Sequence, residues 1–179
     1  MRKKIIYIAG YGRSGSTILA LILGQHKNII SLGEIGVIFS ALKNDRTCTC
    51  GEKLISCSFW GELIRNNKYY KNFNISSNKL ENPYLKVGVV IEYIFEKTEC
   101  QFIVDSTKTS WRNLTRPLRL ILSGYDVFII HLKRSQGAVI RSASKGKNSE
   151  LESNLKVNTR FSKIRTILSY QISNKLTLL

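Results

Sequence analysis

Three stretches of the chain carry the continuous apolar pattern that is typical of strands buried on both faces of a parallel sheet. These stretches are Lys4–Ala9, Phe102–Val104 and Val127–Leu132. Each is followed by glycine-rich or polar residues and then by a helical pattern, over Thr17–Leu23, roughly Asn113–Ser123 and roughly Gly137–Ser144. This order predicts an α/β fold, a P-loop-like three-layer α/β/α arrangement around a central, mainly parallel sheet.

The rest of the chain predicts less regular structure. Further helices are expected over Leu85–Glu99 and Leu151–Leu179, and Asn66–Asn82, rich in Asn, Lys and Tyr, predicts a loop. At about 150 residues per domain, a chain of 179 residues predicts a single domain over residues 1–179.

The charge is strongly unbalanced, with 28 Lys and Arg against 12 Asp and Glu, for a net charge of +16. Such a surface suits an anionic partner, which could be a nucleotide, an acidic glycan or a nucleic acid, but a solvated Lys-rich surface explains it equally well. The longest apolar run is about six residues, too short for a helix to cross a bilayer. The basic N-terminus lacks the apolar length and cleavage site of a signal peptide, so a cytoplasmic protein is expected.

The segment from Gly10 to Thr17 has the spacing of a phosphate-binding loop, but Ser16 stands where the Walker A lysine is required. Its glycines let backbone N–H groups turn toward an anion, and the following helix adds about half a positive charge at its N-terminus. Arg13 supplies the cation inside the loop. The residues predicted to hold the anion are Gly12, Arg13, Ser14, Gly15, Ser16 and Thr17. The alternative is a tight glycine turn with an exposed arginine.

This loop resembles the 5′-phosphosulfate loop of sulfotransferases that use 3′-phosphoadenylyl sulfate (PAPS), in the form found in the bacterial and tyrosylprotein-type branch. A second segment, Arg134 to Ser142, is similar to the 3′-phosphate motif of the family, in which an Arg after a strand precedes a Ser by eight residues. It departs from the motif at Ser135, Gln136 and Gly137. The resemblance implies that Arg134 and Ser142 bind the 3′-phosphate of PAPS. A loop Arg and a helix-surface Ser without this role are the alternative.

The resemblance also implies a general base. Gly33-Glu34 resembles the Gly-Glu of the tyrosylprotein-type branch, and His26 is the rival because other branches use His. Asp105-Ser106-Thr107-Lys108 resembles the Asp-Ser-Ser-Lys segment of bacterial members, where Lys108 would meet the transferring sulfuryl group or an acidic acceptor. Otherwise Asp105 and Ser106 cap the next helix and Lys108 is solvated.

The cysteines Cys48, Cys50 and Cys57 resemble a Cys-rich insertion of bacterial members, taken here as a variable insertion over residues 46–82. Three thiolates can bind zinc, but a closed structural site needs four ligands. Cys100, His26 or His131 could supply the fourth, although nothing in the spacing shows it, and free or redox-sensitive thiols are the alternative. No metal site is therefore assigned from the sequence.

Together these motifs imply a PAPS-dependent sulfotransferase that moves a sulfuryl group to a hydroxyl or amine of a small molecule, glycan or peptide, without a metal. Arg13 and Glu34 are the expected catalytic residues, and PAPS is the co-substrate. The alternatives are a P-loop nucleotide kinase or NTPase and a non-catalytic polyanion binder. No basic motif with interleaved aromatic residues predicts specific nucleic-acid binding.

The resemblance covers roughly residues 4–145. Family members continue with more sheet and a late basic loop, so the chain is expected to be truncated at its C-terminus. An open sheet edge and exposed apolar surface would then cause weak stability, oligomerisation or low activity.

Overall fold

Four parallel strands form the centre of the computed structural model, which describes residues 2–65, 83–108, 113, 115–144 and 159–176. The strands lie in the order β2-β3-β1-β4 and are β1 (Lys4–Ala9), β2 (Ile29–Ser31), β3 (Phe102–Asp105) and β4 (Asp126–His131). Helices flank the sheet, which confirms the predicted α/β fold with its central parallel sheet. The strand β2 was not predicted, because three residues are too few for a recognisable pattern.

The helices of the described residues are α1 (Ser16–Leu23), α2 (Ile38–Lys43), α3 (Ser58–Arg65), α4 (Pro83–Lys97), α5 (Arg116–Leu122), α6 (Gln136–Ser144) and α7 (Thr159–Leu176), with a 3₁₀ turn over Ile35–Val37. The predicted helix over Asn113–Ser123 begins later than expected, since α5 starts at Arg116. Of the predicted helix over Leu151–Leu179, α7 covers Thr159–Leu176, and the rest of that range lies outside the described residues. The predicted loop over Asn66–Asn82 lies outside the described residues. None of the described helices is long and apolar enough to cross a membrane.

The two faces of the sheet are unequally covered. On one face Ile5, Tyr7 and Ile103 are fully buried in a large cluster with side chains from α2, α3 and α4. On the other face Ile8 and Val104 pack against Ala20 of α1 in a small cluster. Alternate residues of β1 therefore point to opposite layers, as the two-residue period of a strand requires.

The predicted insertion over residues 46–82 contributes to the main core in its first part. Leu54, Cys57, Trp60 and Leu63 are buried in the larger cluster, and Phe59 packs against it. The hydroxyl of Tyr93 on α4 donates a hydrogen bond of 2.7 Å to the carbonyl oxygen of Phe59. Residues 46–65 therefore form an integral layer of the fold.

Since all four strands run in the same direction, their carboxyl ends meet at one edge of the sheet. The register places Ala9 of β1 beside His131 of β4, and Tyr7 of β1 beside Asp105 of β3. The loops that follow the four strands consequently lie on this edge, which is where open parallel sheets bind their ligands.

Candidate functional site

The loop after β1 lies directly against the end of β4. Gly10 has φ +134°, and a Cβ at this position would lie 2.4 Å from the carbonyl oxygen of Leu132. Leu132 in turn donates its backbone N–H to the carbonyl oxygen of Ala9 at 2.9 Å. Only glycine allows both the backbone conformation and this approach. The first glycine of the motif thus joins the loop to β4.

Two further residues of the loop have left-handed backbone conformations. Arg13 has φ +70°, and Gly15, immediately before α1, has φ +98°. Leu19 donates its N–H to the carbonyl oxygen of Gly15 at 3.1 Å, so the helix begins at once. Alternation between right- and left-handed residues is the conformation in which successive backbone N–H groups form a concave anion site. The side-chain hydroxyl of Ser14 is buried here without a hydrogen-bond partner among the described residues.

Arg134, which follows β4, contacts this loop. Its Nη1 donates a hydrogen bond of 3.0 Å to the carbonyl oxygen of Arg13. Tyr170 of α7 donates its hydroxyl to the carbonyl oxygen of Arg134 at 2.6 Å and packs edge-on against Tyr11, with ring centroids 5.9 Å apart. The structure therefore brings together the two arginines that sequence reasoning assigned to two separate motifs.

Ser142 lies in the second turn of α6, half-buried. Within the part of the chain that the structure describes, it makes no hydrogen bond to Arg134. Arg134 thus lies in the β4–α6 connection and Ser142 within α6, and no hydrogen bond joins their side chains in the described part of the chain.

Glu34 lies on the same edge, after β2, and is paired with Lys108, after β3. The Lys108 Nζ is 2.5 Å from the Glu34 Oε1, and both side chains are partly exposed. Two hydrogen bonds hold these segments together: Ser106 donates its N–H to Gly33 O at 3.1 Å, and Gly36 donates its N–H to the side-chain Oγ1 of Thr107 at 2.8 Å. A carboxylate and an ammonium are thereby held at the end of the sheet.

Lys108 also links this pair to the glycine loop. A Cβ built on Gly12 would lie 3.2 Å from Cδ of Lys108, so the lysine side chain passes directly over the loop. The basic loop, Lys108 and Glu34 are therefore neighbours in a continuous row. The alternative interpretation, in which Lys108 is only solvated, does not describe a lysine that forms an ion pair with Glu34.

Asp105 forms a buried network beneath this row. The carboxylate Oδ2 accepts a hydrogen bond of 2.6 Å from Nε of Arg116, and Nη2 of Arg116 lies 2.6 Å from the same oxygen. The other oxygen accepts hydrogen bonds from the backbone N–H and the hydroxyl of Thr107. The side chains of Asp105 and Arg116 are 1% and 5% exposed. The interpretation of Asp105 and Ser106 as helix caps is wrong, because α5 begins at Arg116 with Thr115 at its N-cap.

His26 lies at the opposite edge of the sheet. It follows the C-terminus of α1 and precedes β2, whose first residue pairs with the first residue of β3. Its exposed ring accepts a hydrogen bond of 3.2 Å from the N–H of Asn28 at Nδ1. The length of α1, roughly 12 Å at 1.5 Å per residue, separates this ring from the glycine loop.

Three residues of this region were not singled out from the sequence. Arg116 and Tyr170 stand far along the chain from the groups they bind, and Thr107 was quoted without a role. A basic residue before Pro117 and an aromatic residue in a polar helix are too common to signal such contacts. Only the short segment Asp105–Lys108 carried a usable signal, through its position after a buried strand.

Comparison with known proteins adds little. No protein-family model matches the chain, and no curated protein matches it. One solved structure, titled "Crystal structure of APE1195", is similar to this chain with 12% sequence identity, 96% of each chain covered and a TM-score of 0.42. A likeness at this level carries no argument about fold or function.

Proposed function

We propose that the protein is a sulfotransferase that moves a sulfuryl group from PAPS to a hydroxyl or amine acceptor. The observation that carries the proposal is the row of groups at one sheet edge: the glycine loop with Arg13, then Lys108, then Glu34. Anion-binding groups and a carboxylate in contact through one lysine are what transfer of an anionic group to a protonated acceptor requires. The resemblance of the two motifs to the PAPS-binding loops supports the same assignment.

The glycine loop would hold the 5′-phosphosulfate. Backbone N–H groups of Ser14 to Thr17 and the N-terminus of α1 offer donors to the phosphate and sulfate oxygens. The guanidinium of Arg13 would meet the negative charge that develops on the bridging oxygen as its bond to sulfur breaks. This charge supply comes from the protein itself, so the proposed reaction requires no metal ion.

Glu34 would accept the proton of the acceptor. As the acceptor oxygen or nitrogen forms its bond to sulfur, its proton passes to the Glu34 carboxylate, and 3′,5′-bisphosphoadenosine (PAP) leaves. Lys108 holds that carboxylate at the edge and lies between it and the loop, where its ammonium would also face the transferring group. His26 is a poorer candidate for the base, because it lies at the other edge of the sheet.

Arg134 would bind the 3′-phosphate. It is exposed and adjacent to the loop through the carbonyl oxygen of Arg13. Ser142 is assigned to the same phosphate on the resemblance alone. Among the described residues, the loops after β1, β3 and β4 carry the cations Arg13, Lys108, Lys133 and Arg134, and Glu34, after β2, carries a partly exposed carboxylate. A nucleotide carrying several negative charges suits this balance.

A nucleotide kinase or NTPase is the nearest competitor. Such an enzyme needs the Walker lysine and a carboxylate at a strand end to hold Mg²⁺. Ser16 replaces the lysine, and the carboxylate of Asp105 is already taken by Arg116 and Thr107. A non-catalytic polyanion binder requires only the net charge, and it would rank nucleotides by their charge alone, so it would not favour PAP over ATP.

Calorimetric titration with PAP, AMP and ATP tests the proposal. A charge-assisted hydrogen bond contributes roughly 1.5–3 kcal/mol, and each 1.4 kcal/mol is tenfold in affinity, so PAP should bind about 10- to 100-fold more tightly than AMP. Arg134→Ala should erase most of this preference and leave AMP binding nearly unchanged. Lys27→Ala, which removes the same charge at the opposite edge, should preserve it. Equal wild-type affinity for PAP and AMP would refute the proposal.

A further inference from the structure

Three cysteine side chains converge in the segment between α2 and α3. The sulfur of Cys57 lies 3.7 Å from that of Cys48 and 3.7 Å from that of Cys50, and all three sulfurs lie within 4.8 Å of one another. The Zn–S bond is about 2.3 Å, so two thiolates on a tetrahedral zinc ion are separated by about 3.8 Å. The observed spacing is therefore that of ligands around a common metal.

The backbone that carries the cysteines is a closed turn. Cys48 donates its N–H to the carbonyl oxygen of Glu52 at 2.7 Å, and Gly51, with φ +92°, donates its N–H to the carbonyl oxygen of Cys48 at 3.0 Å. Thr47 and Lys53 form an antiparallel bridge across its base. Cys57 directly precedes α3 and is buried in the main core. Two sulfurs thus come from a tight turn and the third from the start of a helix.

Backbone amides in this turn favour negative charge on the sulfurs. Burial raises the pKa of the Cys48 thiol, but a hydrogen bond from the N–H of Cys50 and bonds from the neighbouring side chains bring that pKa below its ordinary value. The N–H of Glu52 lowers the pKa of Cys50, but the sulfurs of Cys48 and Cys57 and partial desolvation raise it above its ordinary value.

We propose that Cys48, Cys50 and Cys57 bind one zinc ion, with a water molecule as the fourth ligand. Binding exchanges the thiol protons for the metal, so three thiols, one water and Zn²⁺ give a complex of net charge −1 and three released protons. Arg46 and Lys53 flank the turn along the chain. A divalent metal that accepts sulfur ligands without redox change suits three thiolates on a rigid turn.

Other candidates for the fourth ligand are engaged elsewhere. Cys100 accepts a hydrogen bond of 3.0 Å from Thr98 Oγ1, and the His131 ring is 2.9 Å from Asn174 Oδ1. His26 contacts Asn28. In the described ranges, 2–65, 83–108, 113, 115–144 and 159–176, no other Cys, His, Asp or Glu joins the group. The exposed side of the site, at Cys50, is open to water.

The metal, held at an open site with water as its fourth ligand, would stabilise the fold around it. The turn precedes α3, whose Trp60 and Leu63 are buried in the main core, and Lys97 of α4 pairs with Glu62 at 2.6 Å. Zinc would tie the turn to the first residue before α3 and so order the layer that covers one face of the sheet. The site thus serves the fold of residues 46–65 and is independent of the proposed reaction at the sheet edge.

Metal content of the reduced full-length chain tests the proposal. Elemental analysis after zinc addition and removal of excess metal should give one zinc per chain. The Co²⁺-loaded chain should show intense sulfur-to-metal charge-transfer absorption with tetrahedral d–d bands. Cys50→Ser, chosen because this side chain is exposed, should weaken zinc affinity by at least about tenfold. Cys100→Ser, which removes a thiol outside the group, should bind zinc as the wild type does.

Thermal melting supplies a second readout. A chelator should lower the melting temperature of the wild type and of Cys100→Ser, because the metal binds only the folded chain. It should have no effect on Cys50→Ser. A reduced wild-type chain that takes up no zinc, or an octahedral Co²⁺ spectrum without charge transfer, would overturn the proposal. Equal loss of zinc from Cys50→Ser and Cys100→Ser would overturn it as well.

Discussion

The two halves of the carboxyl edge are held in place by different means. On the side of β2 and β3, contacts between side chains hold the segments in place. Asp105 is bonded to Arg116 and Thr107, and Lys108 pairs with Glu34. On the side of β1 and β4, the backbone conformation shapes the loop, through the positive φ angles of Gly10, Arg13 and Gly15.

This difference determines which substitutions should disrupt each half of the edge. A network of charged side chains fails when one partner is removed, because the remaining buried charge is unpaired. A loop shaped by backbone conformation tolerates side-chain changes but fails when a residue cannot adopt the required φ or fit the space. Removing one partner of the buried Asp105–Arg116 pair should therefore lower stability, whereas in the glycine loop an ill-fitting backbone substitution should disturb the packing of the loop on β4.

The largest effect is expected for Asp105→Asn. This change keeps the size of the side chain but leaves the Arg116 charge buried without a counter-charge, which costs about 3–5 kcal/mol. Urea unfolding should show this loss, and Asp126→Asn is the matched control. Its partner Arg2 is exposed and 3.6 Å away, so less than about 1 kcal/mol should be lost. Similar losses for the two variants would mean that the buried network contributes no more than a surface pair.

The second-largest effect is expected for Glu34→Gln, also on the side of β2 and β3. This substitution tests the proton transfer separately from nucleotide binding. The amide retains the shape of the carboxylate but cannot accept the proton, so turnover should fall about 10²- to 10⁴-fold. PAP affinity should change little, as measured by calorimetry. His26→Ala is the control and should remain active. The reverse result, an inactive His26→Ala beside an active Glu34→Gln, would exchange their roles.

On the β1 side, Arg13→Ala should lower kcat by at least about 10²-fold, as expected for the loss of one preorganised donor in the transition state. The fold should survive, because the loop is shaped by its backbone. Arg141→Ala removes the same charge from the surface of α6 and should turn over normally. Near-normal turnover of Arg13→Ala would remove this residue from the mechanism.

The smallest effect is expected for Gly10→Ala, which tests the backbone directly. The added Cβ meets the Leu132 carbonyl at a φ that L-residues disfavour, at a cost of about 1–3 kcal/mol. Gly124→Ala is the matched control, since Gly124 also has a positive φ, +89°, but its added Cβ would enter open space. This substitution should lower the free energy of unfolding by about 1 kcal/mol or less. A loss for Gly10→Ala no larger than that for Gly124→Ala would show that the contact between loop and β4 is unimportant.

The strands and the edge could be predicted because their signal is local. The apolar runs of β1, β3 and β4 are each bounded by polar or glycine residues, and a parallel sheet then requires their ends to meet. Glycine spacing also located the loop after β1. By contrast, β2 and α3 were not predicted. The strand β2 is only three residues long, and α3 spans only about two turns, which is too short for its helical period to stand out.

The pairings within the site could not be predicted, because each joins residues far apart along the chain. The local sequence around Glu34 and Lys108 does not indicate which of the 28 basic residues pairs with the Glu34 carboxylate. The convergence of three sulfurs likewise depends on a turn whose closure rests on Gly51 and on where α3 begins. Such contacts follow from the assembled sheet and core, and a short sequence window does not contain that information.

The position of β1 in the sheet has a consequence for how the protein is made. Among the described strands, β1 is synthesised before the others but lies between β3 and β4, so Lys4 pairs with Phe102 and with Asp126. At 5–20 residues per second, β1 waits roughly 5–20 s for β3 to be synthesised. Its apolar side chains stay unpaired throughout, and closure of so long a loop makes folding slow. Early in synthesis, β1 is therefore an unpaired apolar segment of the kind that is prone to aggregate.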